Sequence, residues 1–389
     1  MANWSDLQHD MLGLIAQHLD KIEDYVAFGA VCKSWRAAAS EKNFKGLRLW
    51  QQIPCLMLAA KDDFNREFYS LMEKQVVAKV SLRQLKGKKC YESLGWLLTI
   101  GQQGEMSLLN PFSGVEIELP NQNTFPEYDL YEMDPDIFVR RMVLSSRPSR
   151  ESPEDDDFVV MIICGGVGFL AFWRPKDLRW NRIETRNSPY ADVIYTNGQF
   201  YAIDHMGNVV VCDVFEANPT DQARIIARFS PELWDKKELY LVKSSSTDDE
   251  PFLVVTRDNI PNYEDEQGFE LDKPIYGTTE FQVFELVSTA GREKEITSRW
   301  EEIKNLGSRS IFLGHSSSMC LQNNKLAPGI KPGHIYFTDD AWAAYVEIPE
   351  GGGKDMGVYN LEKGVTAPLY DAPLRLSRTC PTIWITPNF

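Results

Sequence analysis

The sequence lacks the clustered cysteines and histidines of a metal site or a disulfide framework. Its seven cysteines, at positions 32, 55, 90, 164, 212, 320 and 380, form no Cys-x-x-Cys pair, and their number is odd. The five histidines are scattered, and none belongs to a cluster with ligand spacing. We therefore expect reduced thiols inside an intracellular protein, with no metal and no other cofactor.

Long apolar runs and an excess of positive charge are missing too. The longest uncharged apolar stretch, residues 158–173, is too short to span a membrane and predicts two buried strands joined by a tight turn. No basic segment followed by an apolar run begins the chain, so secretion is not expected. The net charge is −15, and residues 1–50 carry six acids and six bases, so the negative excess lies in the remainder. This argues against nucleic acid as the main ligand, because phosphate binding needs a basic surface.

Segments that partly match catalytic or nucleotide-binding motifs lack residues that those motifs require. Residues 351–354 are similar to a phosphate-binding loop, but Ile348 replaces a required glycine and Asp355 replaces Ser/Thr, so we expect a flexible surface loop. His205 lies in a predicted turn. Residues 315–318 combine a histidine with hydroxyls but lack the acid and the nucleophile elbow. The chain is therefore not expected to be an enzyme.

The most informative segment that is present is residues 5–38. An apolar residue recurs every fourth position and predicts one face of a first helix, at Leu7, Met11, Ile15 and Leu19. Ser5 and Gln8 have the spacing of a capping box, and Asp24 is placed to cap a second short helix. A third helix follows. Three short helices bury too little surface to be stable alone, so exposed apolar area here indicates a partner.

This segment resembles the F-box, the module that docks substrate receptors onto the Skp-type adaptor of Skp–cullin–F-box (SCF) ubiquitin ligases. The most specific part of the match is the run Val-Cys-Lys-Ser-Trp-Arg at residues 31–36. The family usually has proline after the first leucine, where this chain has Gln8, and we expect weaker pre-organisation there without loss of docking. The resemblance implies an adaptor-binding face formed by Leu7, Met11, Leu12, Ile15, Leu19, Val31, Cys32 and Trp35, with Arg36 at its rim.

From residue 55 onwards, short β-rich runs are separated by clusters of Gly, Pro, Asn and Asp. Five approximate four-stranded repeats with a period of roughly 40–50 residues predict a β-propeller. Residues 55–82 supply three more strands, and residues 382–386 are expected to add the fourth and close the ring, which gives six blades. The predicted class is α+β multidomain: a small all-α module of three helices followed by an all-β propeller. A β-sandwich or two smaller β-domains are the alternatives.

Several of these strands resemble the plant proteins with domain of unknown function 295, the KIB-type β-propeller. The resemblance runs from about residue 54 to the carboxyl end, and an F-box commonly precedes the propeller in that family. It rests on the segments LLNPFSG (108–114), AFWRP (171–175), FYAID (200–204), IYFTDD (335–340), DMGVYNL (355–361) and IWITP (383–387). The expected organisation is an F-box at residues 1–45, a linker at 46–54 and a propeller at 55–389.

Together the two resemblances imply a plant F-box protein, the non-catalytic substrate-recognition subunit of an SCF-type E3 ubiquitin ligase in the nucleus, the cytoplasm or both. Its expected partners are a Skp-type adaptor, a cullin bound through that adaptor, and a target protein, but neither nucleic acid nor a membrane. Trp234 and Trp342, in predicted loops, are the candidates for target contact.

Two alternatives stay open. One is a propeller scaffold whose degenerate F-box is only an internal helical cap, with Leu7 and Ile15 contacting the propeller. The other is a propeller enzyme, which needs polar or titratable groups that converge at one mouth of the channel. The sequence places no such groups there.

Overall fold

A computed structural model of the protein describes residues 4, 7–19, 22–39, 53–60, 64–126, 128, 138–149, 157–166, 168–183, 189–214, 223–230, 232, 237–243, 252–259, 262–264, 270–290, 297–322, 329–371 and 373–387. Helices come first and strands follow, as predicted. None of the helices in these ranges is long and apolar enough to cross a membrane. Of the expected linker at 46–54, only residues 53 and 54 are described.

The three predicted helices are present as α1 (His9–Ala16), α2 (Ile22–Ala30) and α3 (Lys33–Ala38), but their starts differ from the prediction. Gln8 is the N-cap of α1 and makes no side-chain capping bond, so the predicted capping box is wrong. The backbone of Gln8 is extended (φ −61°, ψ 144°), so the helix begins only at the next residue. Asp24 lies inside the first turn of α2, so its predicted role as a cap is also wrong. Helix α1 starts after Leu7 and ends before Leu19, so both leucines lie outside it.

The remainder is a six-bladed propeller, as predicted. Blade 1 contains β1 (Cys55–Met57), β2 (Asn65–Ser70) and β3 (Gln75–Ser81). Blade 2 contains β4 (Lys89–Ser93), β5 (Trp96–Ile100), β6 (Met106–Leu109) and β7 (Glu116–Leu119). Blade 3 contains β8 (Val139–Leu144), β9 (Val160–Cys164), β10 (Phe169–Trp173) and β11 (Asn181–Arg182). Blade 4 contains β12 (Tyr190–Thr196), β13 (Gln199–Asp204), β14 (Asn208–Cys212) and β15 (Ala223–Arg228).

Blades 5 and 6 are more elaborate. Blade 5 contains β16 (Glu238–Lys243), β17 (Phe252–Asp258), β20 (Glu280–Ala290) and β21 (Thr297–Ile303), with a hairpin of β18 (Asn262–Glu264) and β19 (Glu270–Ile275) between its second and third strands. Blade 6 contains β22 (Arg309–Leu313), β23 (Met319–Gln322), β24 (His334–Phe337), β25 (Gly357–Asn360) and β26 (Val365–Ala367). The predicted pair of buried strands at residues 158–173 is confirmed as β9 and β10, which are antiparallel.

The carboxyl-terminal strand β27 (Ile383–Ile385) closes the ring, as predicted. It pairs antiparallel with β1, with Trp384 opposite Leu56, so both ends of the propeller share blade 1. Trp384 is completely buried, its indole N–H donates to the carbonyl oxygen of Leu313 at 2.9 Å, and its ring meets Phe312 edge to face at 5.0 Å. The same side chain therefore fastens blade 1 to blade 6.

Blade 6 departs from the simple four-stranded plan. β22 runs parallel to β24, and β23 adds a fifth strand on the far side of β22, where it contacts β16 of blade 5. The turn between β22 and β23 reaches across to other blades. The Ser316 hydroxyl donates to the carbonyl oxygen of Trp384 at 2.7 Å, and the Ser318 hydroxyl donates to Asp192 at 3.3 Å. The hydroxyls of residues 315–318 thus serve the packing of the ring.

The helices are packed against blade 1. Helix α2 contacts β3, and one buried apolar cluster combines side chains of the helices with side chains of the propeller. Its helical members include Leu12 and Phe28, and its blade 1 members include Ala78 and Val80. Leu7 and Ile15 lie half-buried against this shared cluster. The helical module and the propeller therefore share a core.

Replacing the closing tryptophan tests how much closure stabilises the ring. We expect Trp384→Ala to lower the free energy of unfolding by about 3–5 kcal/mol, because a fully buried indole and its hydrogen bond are lost. Urea unfolding followed by circular dichroism measures the loss. The control is Trp300→Ala, since Trp300 lies half-buried on the outer strand of blade 5 and should cost less. Equal losses for the two variants would contradict a special role for closure.

A second prediction concerns the pH dependence of stability. Glu92 is completely buried, and its Oε1 accepts hydrogen bonds from the backbone N–H groups of Gly95 (2.8 Å) and Thr386 (3.2 Å), so it ties blade 2 to the closing strand. Burial raises the pKa of Glu92 from 4.5 to about 7. Because the folded chain holds this proton more tightly than the unfolded chain, the stability contributed by Glu92 is complete below about pH 4.5 and is lost as the pH rises through 7.

We therefore expect Glu92→Gln to gain on the order of 2 kcal/mol of stability relative to wild type when the pH is raised from 5.5 to 8. The glutamine keeps the accepting oxygen, and the cost of its buried NH₂ group does not change with pH. Urea unfolding of both proteins at pH 5.5 and pH 8 provides the comparison. The exposed Glu362 gives the control, since Glu362→Gln should leave the difference between the two pH values unchanged. A constant offset between Glu92→Gln and wild type would refute the prediction.

Candidate functional site

Large apolar side chains are exposed in the helical module. We call the group Trp4, Met11, Leu14 and Val31 the helical face; their exposed fractions are 64%, 51%, 51% and 57%. Met11 and Leu14 lie three residues apart on α1, so they are neighbours on its surface. Exposed apolar side chains on so small a module are typical of an interaction surface.

The other residues predicted for adaptor binding differ in their exposure. Leu7, Ile15, Leu19 and Trp35 are half-buried against the shared cluster, Leu12 is completely buried, Cys32 is half-buried and Arg36 is exposed. Leu14 was not predicted, although its spacing of three from Met11 was the available signal. The inward side of α1 contains Leu12, Gly13 and Ala16, one position away from the predicted apolar face at Met11 and Ile15.

The break between α2 and α3 positions Val31 and Trp35. Cys32 is fully extended (φ −165°, ψ 176°), so the chain leaves α2 there and starts α3, and Val31 lies exposed in the break. Trp35 packs on Phe28 with 4.6 Å between ring centroids, and its indole N–H donates to the carbonyl oxygen of Trp4 at 3.1 Å. The Ser34 hydroxyl, 3.1 Å from Cys32 Sγ, lowers the pKa of that thiol.

A second candidate site lies on the propeller, at the face where β8, β12 and β16 begin. A cavity of about 120 Å³, here called the axial pocket, is lined by residues of blades 3 to 6, among them Arg140, Tyr190, His205, Asn259, Asp340 and Trp342. Trp342 opens the short helix α4 (Trp342–Tyr345), and the Arg140 guanidinium lies 5.0 Å from the centre of its ring. The other tryptophan candidate, Trp234, lies outside the described residues. This convergence of polar groups was not predicted from the sequence.

Two β-bulges shape the pocket. The pairing of β8 with β9 shifts register between Val139 and Arg141, and the pairing of β12 with β13 shifts between Tyr190 and Asp192. The bulged residues are therefore Arg140 and Ala191, and both line the cavity. A bulge re-aims the side chains around it, and bulges are frequent beside functional sites.

The floor of the pocket is a buried network of charges that joins four blades. Asp340 forms ion pairs with two arginines: Arg141 Nη2 lies 3.0 Å from its Oδ2, and Arg257 Nη1 lies 2.7 Å from its Oδ1. Arg141 also lies 3.6 Å from Asp192, and Arg257 lies 2.9 Å from Asp355. Burial on its own raises the pKa of Asp340, but Arg257 and Arg141 outweigh burial and hold it below its usual value. Burial dominates at Asp192 and raises its pKa to about 6.

The histidine beside this network is part of the packing. Burial lowers the pKa of His315 to about 3, so its ring is neutral at physiological pH, and the Tyr345 hydroxyl lies 2.7 Å from its Nε2. His205 lies in the predicted turn between β13 and β14, where Asp204 accepts hydrogen bonds from the backbone N–H groups of Met206 and Asn208. Across the described ranges, no group of His, Cys, Asp and Glu is arranged to hold a metal ion.

The glycine-rich loop at residues 351–354 is not the flexible surface loop predicted from sequence. Gly351, Gly352 and Gly353 are buried, and Gly352 forms a two-way backbone bridge with Ser377. The backbone N–H groups of residues 353 and 354 donate to one oxygen of Asp339 at 2.6 and 3.0 Å. The loop thus forms an anion-binding concavity that a carboxylate of the same chain already fills. Gly353 has φ +118°, which a residue with a side chain adopts only with strain.

Comparisons with known proteins match both parts of the chain. The family model described as KIB1-4 beta-propeller matches residues 68–360, and the F-box domain model matches residues 4–46. The putative F-box protein At5g55150 of Arabidopsis thaliana is 25% identical over 397 residues, which cover 100% of this chain and 98% of that protein. The F-box protein SKIP23 of the same plant is 25% identical over 399 residues, covering 94% and 90%. Among solved structures, the Cps50 (Swd1) β-propeller domain from Myceliophteria thermophila aligns with a TM-score of 0.34 at 10% identity, covering 84% of this chain and 88% of that one.

Removing Asp340 tests the network under the pocket. We expect Asp340→Ala to lower the free energy of unfolding by about 3–5 kcal/mol, because Arg141 and Arg257 lose a buried partner. In the control, Asp177→Ala, the partner Arg174 is partly exposed and the loss should be about 1 kcal/mol or less. Urea unfolding of the two variants and wild type gives both values. A loss for Asp340→Ala as small as that of the control would show that the network adds little stability.

Proposed function

This chain belongs to the KIB1-4 β-propeller family and carries an F-box domain, and from that premise we propose that it is the non-catalytic substrate-recognition subunit of an SCF-type E3 ubiquitin ligase. In this proposal the F-box docks on a Skp-type adaptor, which links the chain to a cullin, and the propeller holds a target protein. The proposed mechanism is positioning, since a bound target has a high effective concentration near the ubiquitin carrier. The proposed domain limits are 1–45, 46–54 and 55–389, and the proposed location is the nucleus, the cytoplasm or both.

The observation that carries this proposal is the exposed helical face. Met11, Leu14 and Val31 are about half exposed although the rest of the module shares a closed core with blade 1. We assign Met11 and Val31 to direct adaptor contact, with Arg36 at the rim. Half-buried Leu7, Ile15, Leu19, Cys32 and Trp35 border that surface, and the fully buried Leu12 supports it from below.

A second candidate function is a propeller scaffold whose F-box does not join a ligase. The packing of α2 on β3 favours it, because a helical module that caps the propeller has a structural use without any partner. The half-buried positions of Leu7 and Ile15 are compatible with both candidates. The two differ in whether the helical face binds an adaptor.

Charge substitutions on the helical face separate the two candidates. We expect Val31→Asp and Met11→Asp to abolish co-purification with a Skp-type adaptor, since burying an unpaired carboxylate costs several kcal/mol and a micromolar complex is worth only about 8 kcal/mol. Both side chains are exposed in the free chain, so folding should be preserved, and the thermal midpoint checks this. Ile15→Asp should abolish binding too, but Ile15 is half-buried and that substitution also strains the fold.

The matched control is Leu178→Asp. Leu178 is 96% exposed in the turn between β10 and β11, so its substitution makes the same chemical change far from the helices and should leave adaptor capture at the wild-type level. Equal capture by wild type and Val31→Asp, or no capture by wild type, would overturn the ligase proposal in favour of the scaffold.

A further inference from the structure

We propose that the axial pocket binds the carboxyl terminus of a peptide chain, so that the target is recognised by a free α-carboxylate and its last peptide unit. This inference rests on the proposed function, since it names the class of target that the propeller holds. It is carried by three features of the pocket: a cation that forms no ion pair with the described residues, a buried amide that forms no hydrogen bond with them, and an aromatic wall.

The cation is Arg140. Its Nη2 donates to the carbonyl oxygen of Gly166 at 2.7 Å, and none of the ion pairs formed within the described ranges includes it. Burial lowers its pKa, which reflects the cost of holding the charge away from water. The neighbouring Arg141 differs, because Asp340 and Asp192 already neutralise it. Arg140 is therefore the guanidinium with capacity left for a ligand carboxylate, and such pairs are frequently bidentate.

The buried amide is Asn259, which lines the pocket and is only 2% exposed. Neither its Nδ2 nor its Oδ1 has a hydrogen-bond partner among the described residues. An unpartnered buried amide destabilises the fold, so a ligand that satisfies both its donor and its acceptor gains affinity. Its donor and acceptor together match the C=O and N–H of one peptide unit.

Size and charge favour a chain end over an acidic segment. A cavity of about 120 Å³ holds roughly one residue, so a chain that enters it must stop there. Trp342 forms an apolar wall against which the last side chain can pack. The exposed Glu238 at the rim partly offsets the charge of Arg140 and repels further negative charge, so a single terminal carboxylate fits better than a run of acids. The two bulges at Arg140 and Ala191 bring these groups to one place.

The test uses the full chain and three probes. Immobilised protein is incubated with a mixture of random pentapeptides that have free carboxyl ends, with the same mixture amidated at the carboxyl end, or with the free mixture in the presence of excess acetate. Mass spectrometry measures the peptides retained. We expect enrichment from the free mixture and at least about tenfold less from the amidated one, since a charge-assisted pair is lost. Acetate should compete only at high concentration.

Two variants assign the residues. Arg140→Gln should reduce capture about tenfold or more, and Arg299→Gln, at an exposed arginine on β21, should not. Asn259→Leu should lose capture while its thermal midpoint stays the same or rises, because an unsatisfied amide is replaced by an apolar group. A purely structural asparagine would give a lower midpoint with capture unchanged, and that result overturns its role.

Equal retention of free and amidated peptides overturns the inference, as does a failure to enrich any peptide from the free mixture. Failure here is distinguishable from failure of the ligase proposal. If adaptor capture depends on Val31 but no peptide is retained, only the proposal of a peptide site is rejected. If peptides are retained but no adaptor binds, the peptide site stands and the ligase proposal falls.

Discussion

A buried carboxylate between two arginines, Asp340 between Arg141 and Arg257, organises the centre of this propeller. An unpaired charge in the protein interior is very costly, so the surrounding polar groups all interact with the Asp340 carboxylate. The Tyr240 hydroxyl also lies within hydrogen-bond distance of it, at 3.1 Å. The participants come from blades 3, 5 and 6, and Arg141 extends the chain of charges to Asp192 in blade 4. The inner ends of four blades are thereby fixed relative to one another by directional contacts, where apolar packing alone would allow them to slide.

This network also explains why a pocket forms above it. Arg140 and Arg141 are consecutive, and a regular strand would point them to opposite sides. The bulge at Arg140 lets one arginine reach inward to Asp340 and the other lie along Trp342. Among the described residues, the inward arginine forms ion pairs with Asp192 and Asp340, whereas the other forms none. The same sequence pair thus supplies both the structural charge and the candidate binding charge, and the bulge in the β8–β9 ladder adjusts where each side chain lies.

Sequence was sufficient where the signal is local and repeated. The Val-Cys-Lys-Ser-Trp-Arg run and the recurring strands predicted the helical module, the blade count and the closure by residues 382–386. Sequence was insufficient for predicting features whose interaction partner lies far along the chain. Strands β8 and β12 were not predicted, since Arg141 and Asp192 interrupt their apolar pattern and the partners of these two charges lie far along the chain. The loop at 351–354 looked flexible because the carboxylate that fills it belongs to Asp339. The start of α1 was misplaced, since the helix begins at His9, four residues after the predicted cap.

The shared apolar cluster connects the two candidate sites physically. Because Leu12 and Phe28 are buried together with Ala78 and Val80, turning the helical module relative to blade 1 would expose apolar surface from both. The distance from the helical face to the axial pocket is therefore set by packing in the core, with blade 1 as the junction. A receptor that works by positioning depends on this property, since a rigid connection keeps a bound target within a narrow range of places, whereas a flexible one dilutes its effective concentration over a large volume. The packing of α2 on β3, which also suits a simple cap, is thus the feature that would let a propeller present its target in a fixed direction.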